Sequence, residues 1–377
     1  MNMKAVALVA AIAGCLLFVC AGSVESSRVR LSTDDPSAFC QEASGALVAC
    51  QIETVEYDAL DSPGPNLDRP SIAVRHDGLV RIAITDFQGA CCPQVAPLKI
   101  ATRGGRGGWT YLKINDYGDH PVPHFLPNGD LGVLYMDYAD RFTIKFARVG
   151  DSSAQVENVF QLGLNPSEFT RLVPWVIENY HYLQAVVLFD LRLRRTLTDW
   201  NSEALLKTPQ DIIIGPHNRV QILTSEGLLT FSGLDLNESA ILNPIPGGVP
   251  PSSGNFSGNL VVDHHGQTHV AYASNGTAIY GRLLNGSWHL ETAATRLNSL
   301  LNDQSLLVDR RGRPYLIYEN IVGHIIVVKK TGAGWREVAD LGPGRYGNMV
   351  FGPLEDIHAA FTSTSDRLVR YARLTPR

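Results

Sequence analysis

Charged residues are sparse in this 377-residue sequence: Asp, Glu, Lys and Arg make up 18% of it, against 45% apolar residues. That balance belongs to a globular chain and excludes a disordered one. The 37 acids outnumber the 32 bases for a formal net charge of −5, which argues against a nucleic-acid partner. Long apolar runs are missing beyond the first twenty-odd residues, so no later stretch has the length to span a bilayer. Several catalytic signatures are missing too. There is no GxSxG elbow, P-loop, HExxH motif or EF-hand loop, and common hydrolase and nucleotide chemistries lose ground accordingly. The cysteines are few and histidines beside them scarce, which does not resemble a zinc site. No metal and no cofactor is expected.

What is present starts at the amino terminus. Lys4 precedes an apolar run from Ala5 to Ala21, followed by small and polar residues. This is the layout of a secretory signal peptide over residues 1–23, with cleavage after Ala21 or Ser23. "IAGC" (Ile12 to Cys15) also matches a bacterial lipoprotein box, but the apolar "LLFVC" behind it would then begin the mature chain, so lipidation ranks second. The expected location is secreted, periplasmic or cell-surface. Export leaves Cys40, Cys50, Cys91 and Cys92, an even number suited to disulfides, and four cysteines allow three pairings. Cys40–Cys50 with a vicinal Cys91–Cys92 bond is the favoured pairing.

The body of the chain is repetitive. In "SLLVDRRGRPYLIYENIVGHIIVVKKTGAGWREVADL" (Ser305 to Leu341), four short runs rich in β-branched and aromatic residues are separated by Gly-, Asn- or Asp-bearing turns. The same unit starts again at Ser71, His124, Arg171, Asp211, Gly258 and Gly347. About seven copies at a period of roughly 40–50 residues, with four strands each, are the signature of propeller blades. A β-sandwich of similar hairpins gives no reason for a Gly-bearing turn to run into a Trp opening the fourth strand, as at Trp109, Trp288 and Trp335. The last copy stops after three strands, while "ALVACQIETVEYDAL" (Ala46 to Leu60) stands unattached before the first, and its "QIETVEY" matches "SWHLETAA". The expected fold is therefore all-β: a seven-bladed β-propeller of four-stranded antiparallel blades over residues 46–377, closed by an N-terminal strand completing the last blade. Residues 24–45 form a short leader.

The pattern Ser-hydrophobic-Val-Asp-x-x-Gly-x-x-hydrophobic-Ala/Ile-Tyr followed by Trp resembles the repeats of secreted, mostly bacterial propellers of the sialidase-like or BNR-like type. It covers nearly the whole mature chain. The sialidase Asp box, Ser-x-Asp-x-Gly-x-x-Trp, is intact in no copy, so the resemblance implies the fold and does not extend to sialidase activity.

Propellers use the face where loops leading into the innermost strands meet loops after the second strands. The second strands end in Asp86, Asp137, Asp190 and Glu319. The leading loops carry Asp68 and Arg69, Tyr117 with Asp119 and His120, Glu168 with Arg171, Gln210 with Asp211, Asp303 with Gln304, and Arg345 with Tyr346. Three functions compete for this mouth. A binding module would use Arg69, Arg345, Tyr346, Asp86, Asp137, Asp190 and Glu319 to hold a glycan or an extracellular protein, with Phe87, Tyr117 and Tyr138 as further stacking faces. A polysaccharide lyase would grip an acidic glycan with Arg69 and Arg345 and move a proton through His120 or Tyr117. A glycosidase version would use Asp68 and Asp119 as its two carboxylates. A structural scaffold of a surface assembly would instead need an apolar patch on a blade edge. Each Asp here also suits plain turn-making, and each Arg an inter-blade ion pair. His264 and His265 fall in a turn on the opposite face and read as exposed turn residues. The sequons at Asn237, Asn255, Asn275 and Asn285 are glycan sites in a eukaryotic secretory protein and turn residues in a bacterial one. A monomer is expected.

Overall fold

The structure is a computed structural model. It describes residues 48–55, 69–86, 97–105, 108–137, 139–140, 143–161, 173–176, 183–187, 191–195, 200–204, 209–215, 219–233, 239–249, 258–298, 301 and 304–376, of which 48–49, 69, 160–161, 173–204, 214 and 376 are placed by backbone alone. All of them belong to one compact unit, Pro36–Arg377. The expected signal peptide, the leader, and Cys40, Cys91 and Cys92 lie outside the described residues.

Every element among the described residues is a strand or a turn. Strand β1 is Val48–Thr54. Strands β2 to β5 are Arg69–Val74, Val80–Thr85, Leu98–Arg103 and Trp109–Asn115; β6 to β9 are Gly118–Phe125, Leu131–Asp137, Thr143–Val149 and Ala154–Gln161. Next come β10 to β13 (Val173–Val176, Leu183–Val187, Leu191–Arg195, Trp200–Ala204) and β14 to β17 (Pro209–Gly215, Arg219–Thr224, Gly227–Phe231, Ala240–Pro244). Strands β18 to β21 are Gly258–Val262, Thr268–Ser274, Thr277–Leu284 and Ser287–Thr295. The chain ends with β22 to β27: Leu306–Val308, Pro314–Glu319, His324–Thr331, Gly334–Phe351, Ile357–Ser363 and Val369–Pro376.

These strands form five four-stranded antiparallel meanders and one seven-stranded sheet ordered β1-β27-β26-β25-β24-β23-β22. The long strand β25 belongs to both ends of that sheet. Its residues up to Pro343 pair with β24, and those from Gly344 onward pair with β26. The sheet thus divides at Pro343–Gly344 into two four-stranded halves, the second completed by β1 against β27, with Gln51 opposite Arg373. The innermost strands neighbour one another in the order β2, β6, β10, β14, β18, β22, β25 and back to β2. The architecture is a β-propeller of four-stranded antiparallel blades.

The burial pattern explains why these sequences fold this way. Second strands lie between two blades and are buried on both faces: β3 (VRIAIT), β7 (LGVLYMD) and β26 (IHAAFTS) are buried throughout. They therefore read as continuous apolar runs and do not alternate. Fourth strands such as β5 face water on one side and are mixed. Each core cluster spans neighbouring blades, and the one containing Ile72, Ile82 and Ile84 of the first meander takes in Ala360, Val369 and Tyr371 from the last. Side chains of that size contribute about 1.5–3 kcal/mol each on full burial, so the ring is held closed by apolar packing.

Two polar devices add direction to that packing. Near the axis, the side chain beginning one innermost strand bonds the backbone of the next. Asp211 accepts from Leu260 N (2.7 Å), Asn259 accepts from Ser305 N (2.9 Å), and Asn348 accepts from Ile72 N (3.1 Å) while donating to Pro70 O (2.7 Å). Farther out, one side-chain set occurs twice. His269 on β19 bonds Asp263 (3.2 Å) and the Tyr280 hydroxyl (2.6 Å), and Tyr280 meets Trp335 of the next blade edge-on at 5.4 Å. Trp335 Nε1 donates to Glu291 (3.1 Å), which also accepts from Lys330. In the last blade, His358 on β26 bonds Asp356 (3.1 Å) and the Tyr371 hydroxyl (2.6 Å), and Tyr371 meets Trp109 of the first blade edge-on at 5.6 Å. Glu53 on β1 takes the place of Glu291 and accepts from Arg103 Nε (2.9 Å). Gly352 stands where Asp263 would be expected, and a side chain there would run into Asp356 and His358.

Candidate binding site

The turns after the second strands and the starts of the innermost strands share one face, and the sequence-predicted residues fall on it unevenly. Asp68, Phe87, Tyr138, Glu168, Arg171, Asp190 and Asp303 lie outside the described residues, and Arg69 is placed by backbone alone at the start of β2. Asp86, Tyr117, Asp119, His120, Asp137, Gln210, Asp211, Gln304, Glu319, Arg345 and Tyr346 are described.

Three carboxylates at second-strand ends are buried and each meets a cation, but not in the same way. Asp86 accepts from Lys99 of the neighbouring β4 (2.6 Å). Asp137 pairs with Lys145 of β8 (2.8 Å), accepts from Asn115 (2.8 Å), and caps the following turn through Ala139 N and Asp140 N. Burial works against the Lys145 charge, yet hydrogen bonds to Asp137 and Asp140 outweigh it and hold its pKa above the ordinary value. Each of these two acids takes its lysine from its own sheet, and the turn caps of Asp137 match the turn-making role. Glu319 differs. It accepts from Asn298 Nδ2 (2.5 Å), and its cation is Arg345 Nε, 3.5 Å away, from the adjoining blade. The Glu319 side chain is 4% exposed and that of Arg345 is 52% exposed.

The backbone at the starts of innermost strands is unusual. His120 (φ 52°), Gln304 (φ 54°) and Tyr346 (φ 57°) are left-handed without being glycine, a conformation that tends to gather at ligand sites. The register slips beside two of them, between Asp119 and Val122 and between Arg345 and Asn348. His120 Nδ1 lies 3.0 Å from Asp119 Oδ2, and Asp119 Oδ1 accepts from His120 N (2.7 Å). Tyr117 N donates to Asn115 Oδ1 (2.6 Å). Asp211 is drawn into the inter-blade belt and Gln304 O accepts from Met349 N (3.0 Å).

Sequence reasoning missed the turn between β23 and β24. Asn320 Oδ1 accepts from Val322 N and His324 N (3.0 Å each), Ile321 N donates to Arg296 O (2.8 Å), and Gly344 N donates to Gly323 O (2.9 Å). Ile321 and Val322 at its tip are 54% and 71% exposed. The signal was legible as two β-branched residues between Asn320 and Gly323, where the turns at 225–226, 275–276 and 364–367 are polar. Away from this face, His264 and His265 are exposed in a hairpin turn as expected. Asn275 and Asn285 are exposed left-handed turn residues, whereas Asn237 and Asn255 lie outside the described residues. Among the described residues no group of His, Cys, Asp and Glu could hold a metal ion, and no helix is long and apolar enough to cross a membrane.

No family model matches the chain, and no curated protein does. Solved structures do. The extracellular domain of BT4673 from B. thetaiotaomicron aligns with a TM-score of 0.54 at 12% identity, over 85% of this chain and 39% of that one. This chain therefore spans about two fifths of that structure's length. AofleA from Arthrobotrys oligospora aligns with a TM-score of 0.48 at 10% identity, over 90% of this chain and 91% of that one. A mutant Aleuria aurantia lectin in complex with Fucα1-6GlcNAc aligns with a TM-score of 0.48 at 13% identity, over 74% and 96%. At such identities the likeness establishes the fold alone: the protein is a β-propeller.

Proposed function

We propose that the chain is an exported, monomeric, seven-bladed β-propeller that binds a carbohydrate or protein ligand at its loop-bearing mouth. The count of seven takes the two halves of the long sheet as separate blades sharing β25. Export rests on the N-terminal pattern, and a Cys40–Cys50 disulfide would tether the leader to β1. The observation that carries the binding reading is the Glu319–Arg345 pair. A buried carboxylate steers a half-exposed guanidinium toward solvent, and it does so where blades meet and the backbone of Tyr346 is left-handed. Asp86 and Asp137 would then support the mouth without touching ligand, since each is already occupied by a lysine.

One observation favours an enzyme as the second reading. His120 Nδ1 stands 3.0 Å from Asp119 Oδ2 without hydrogen-bond geometry, and a small turn of the ring would make the base-and-orienter arrangement that a lyase acting on an acidic glycan needs. A glycan array run with the purified protein and with Arg345→Ala tests the first reading, and absorbance of unsaturated uronate with His120→Ala tests the second. Binding lost in Arg345→Ala without product formation supports the module. Turnover abolished by His120→Ala supports the lyase, and silence on both assays sinks a glycan role.

A further inference from the structure

We propose that the β23–β24 turn, with the two arginines beside it, is a docking surface for an acidic segment of a protein partner that carries an apolar residue between its carboxylates. This rests on the mouth-binding reading and narrows it to a place and a ligand class. Three features of the turn support it.

The first is apolar exposure without slack. Ile321 and Val322 stand out from the surface, yet the backbone around them is fully engaged. Asn320 N donates to His324 O (2.9 Å), Gly323 N donates to Asn320 O (2.9 Å), and the Asn320 side chain and Arg296 O accept the remaining N–H groups. A rigid tip loses little conformational entropy when covered. Among the described residues, the complete turns at the same position elsewhere are Ser225–Glu226, Asn275–Gly276 and Thr364–Arg367, all polar.

The second is unspent positive charge in an acidic protein. Arg296 is exposed and left-handed (φ 62°), its carbonyl is bonded to Ile321 N, and among the described residues no carboxylate pairs with its guanidinium. Among the described residues Arg345 meets an acid through Nε alone, toward Glu319, so its two Nη atoms are left for a partner. A guanidinium fork presents parallel N–H groups that match a carboxylate bidentately. The backbone bonds Ile321 N to Arg296 O and Gly344 N to Gly323 O put the apolar tip between the two segments that carry these arginines, an order that suits acids on either side of an apolar side chain.

The third is that the neighbouring groups are already occupied. Glu319 is held by Asn298, and His324 pairs with Asp340 at 2.9 Å, whose Oδ1 also accepts from Gly342 N (2.8 Å). Neither acid is placed to neutralise Arg296.

The test is a selection of random dodecapeptides displayed on phage against the wild-type chain, with tetragalacturonate as a glycan probe in parallel. Enriched peptides are expected to carry Asp or Glu on both sides of an apolar residue. The best one, made synthetically, is expected to weaken at least about tenfold in Arg296→Ala, Arg345→Ala and Val322→Asp, and on raising the salt concentration. Val322→Asp guards against a folding artefact, because Val322 is 71% exposed and the melt of the variant should match wild type. Peptides without acids, peptides indifferent to all three substitutions, or no enrichment would overturn the proposal. Tetragalacturonate bound in place of peptide, and lost in Arg345→Ala, would also overturn it while leaving the mouth-binding reading intact.

Discussion

The junction between the β18–β21 blade and the blade that follows it is made by consecutive chain, whereas the junction between last and first blades joins opposite ends of it. Both use the same parts. A histidine links an aspartate to a tyrosine, the tyrosine meets a tryptophan of the next blade edge-on, and a glutamate of the fourth strand receives a cation from that next blade. The difference lies in where the parts come from. In the last blade the aspartate has moved from the first position of the hairpin to Asp356, and the glutamate arrives on β1 as Glu53. The N-terminal strand is thus a fourth strand of the repeat in its chemistry as well as its pairing. Side-chain sets that recur at both junctions serve closure. The mouth, where among the described second-strand ends Glu319 alone takes its cation from the adjoining blade, is where a ligand would be read.

Four measurements would sharpen or break this comparison. The largest effect is expected from a chain beginning after Thr54. Without β1 the last blade loses its outer strand and Ile52, which is buried in its core, and the cooperative thermal melt should be lost, with aggregation on size exclusion. A melt like that of the full chain would mean that closure does not depend on β1. Next come Tyr280→Phe and Tyr371→Phe, each of which leaves a buried histidine nitrogen without its partner. Urea denaturation should show a loss of about 1–3 kcal/mol for each, and clearly unequal losses would end the equivalence of the junctions.

Acid should act on both junctions together. Burial holds the pKa of His269 and of His358 below the ordinary value of 6.5, against the pull of their aspartates. Their neutral forms are thus favoured in the folded chain, so stability is complete above about 6.5 and falls as pH drops toward their folded values. Replacing both with Gln should flatten that decline, and an unchanged slope would assign it to other groups. The smallest effect separates the two tryptophans. Trp335 Nε1 donates to Glu291, whereas the buried Trp109 Nε1 has no partner among the described residues, so Trp335→Phe should cost about 1 kcal/mol more than Trp109→Phe in the same denaturation experiment.

Much of the fold was legible because blades repeat local rules. Buried second strands read as apolar runs, Gly-bearing turns separate them, and Trp109, Trp288 and Trp335 open or nearly open the fourth strands, on which they fall in the structure. The match between "QIETVEY" and "SWHLETAA" located β1 opposite β27. What stayed hidden depends on contacts between blades, which have no fixed spacing in sequence. His269 and His358 gave no sign of being linked to tyrosines on the following strand, and a glycine at 352 concealed an aspartate supplied four residues later. The candidate site was legible as a list of polar residues and not as a ranking. Asp86 and Glu319 occupy the same place in the pattern, and only the partner of each, Lys99 within the sheet or Arg345 across blades, separates support from display.

One cross-link asks directly whether the chain's two ends share a blade. Gln51→Cys and Arg373→Cys, introduced together at facing positions of β1 and β27, should oxidise under native conditions to a disulfide that peptide mapping finds between those two sites. A failure to join, or equally ready joining when Gln51→Cys is combined with Arg345→Cys instead, would contradict the closed ring on which the mouth and its ligand depend.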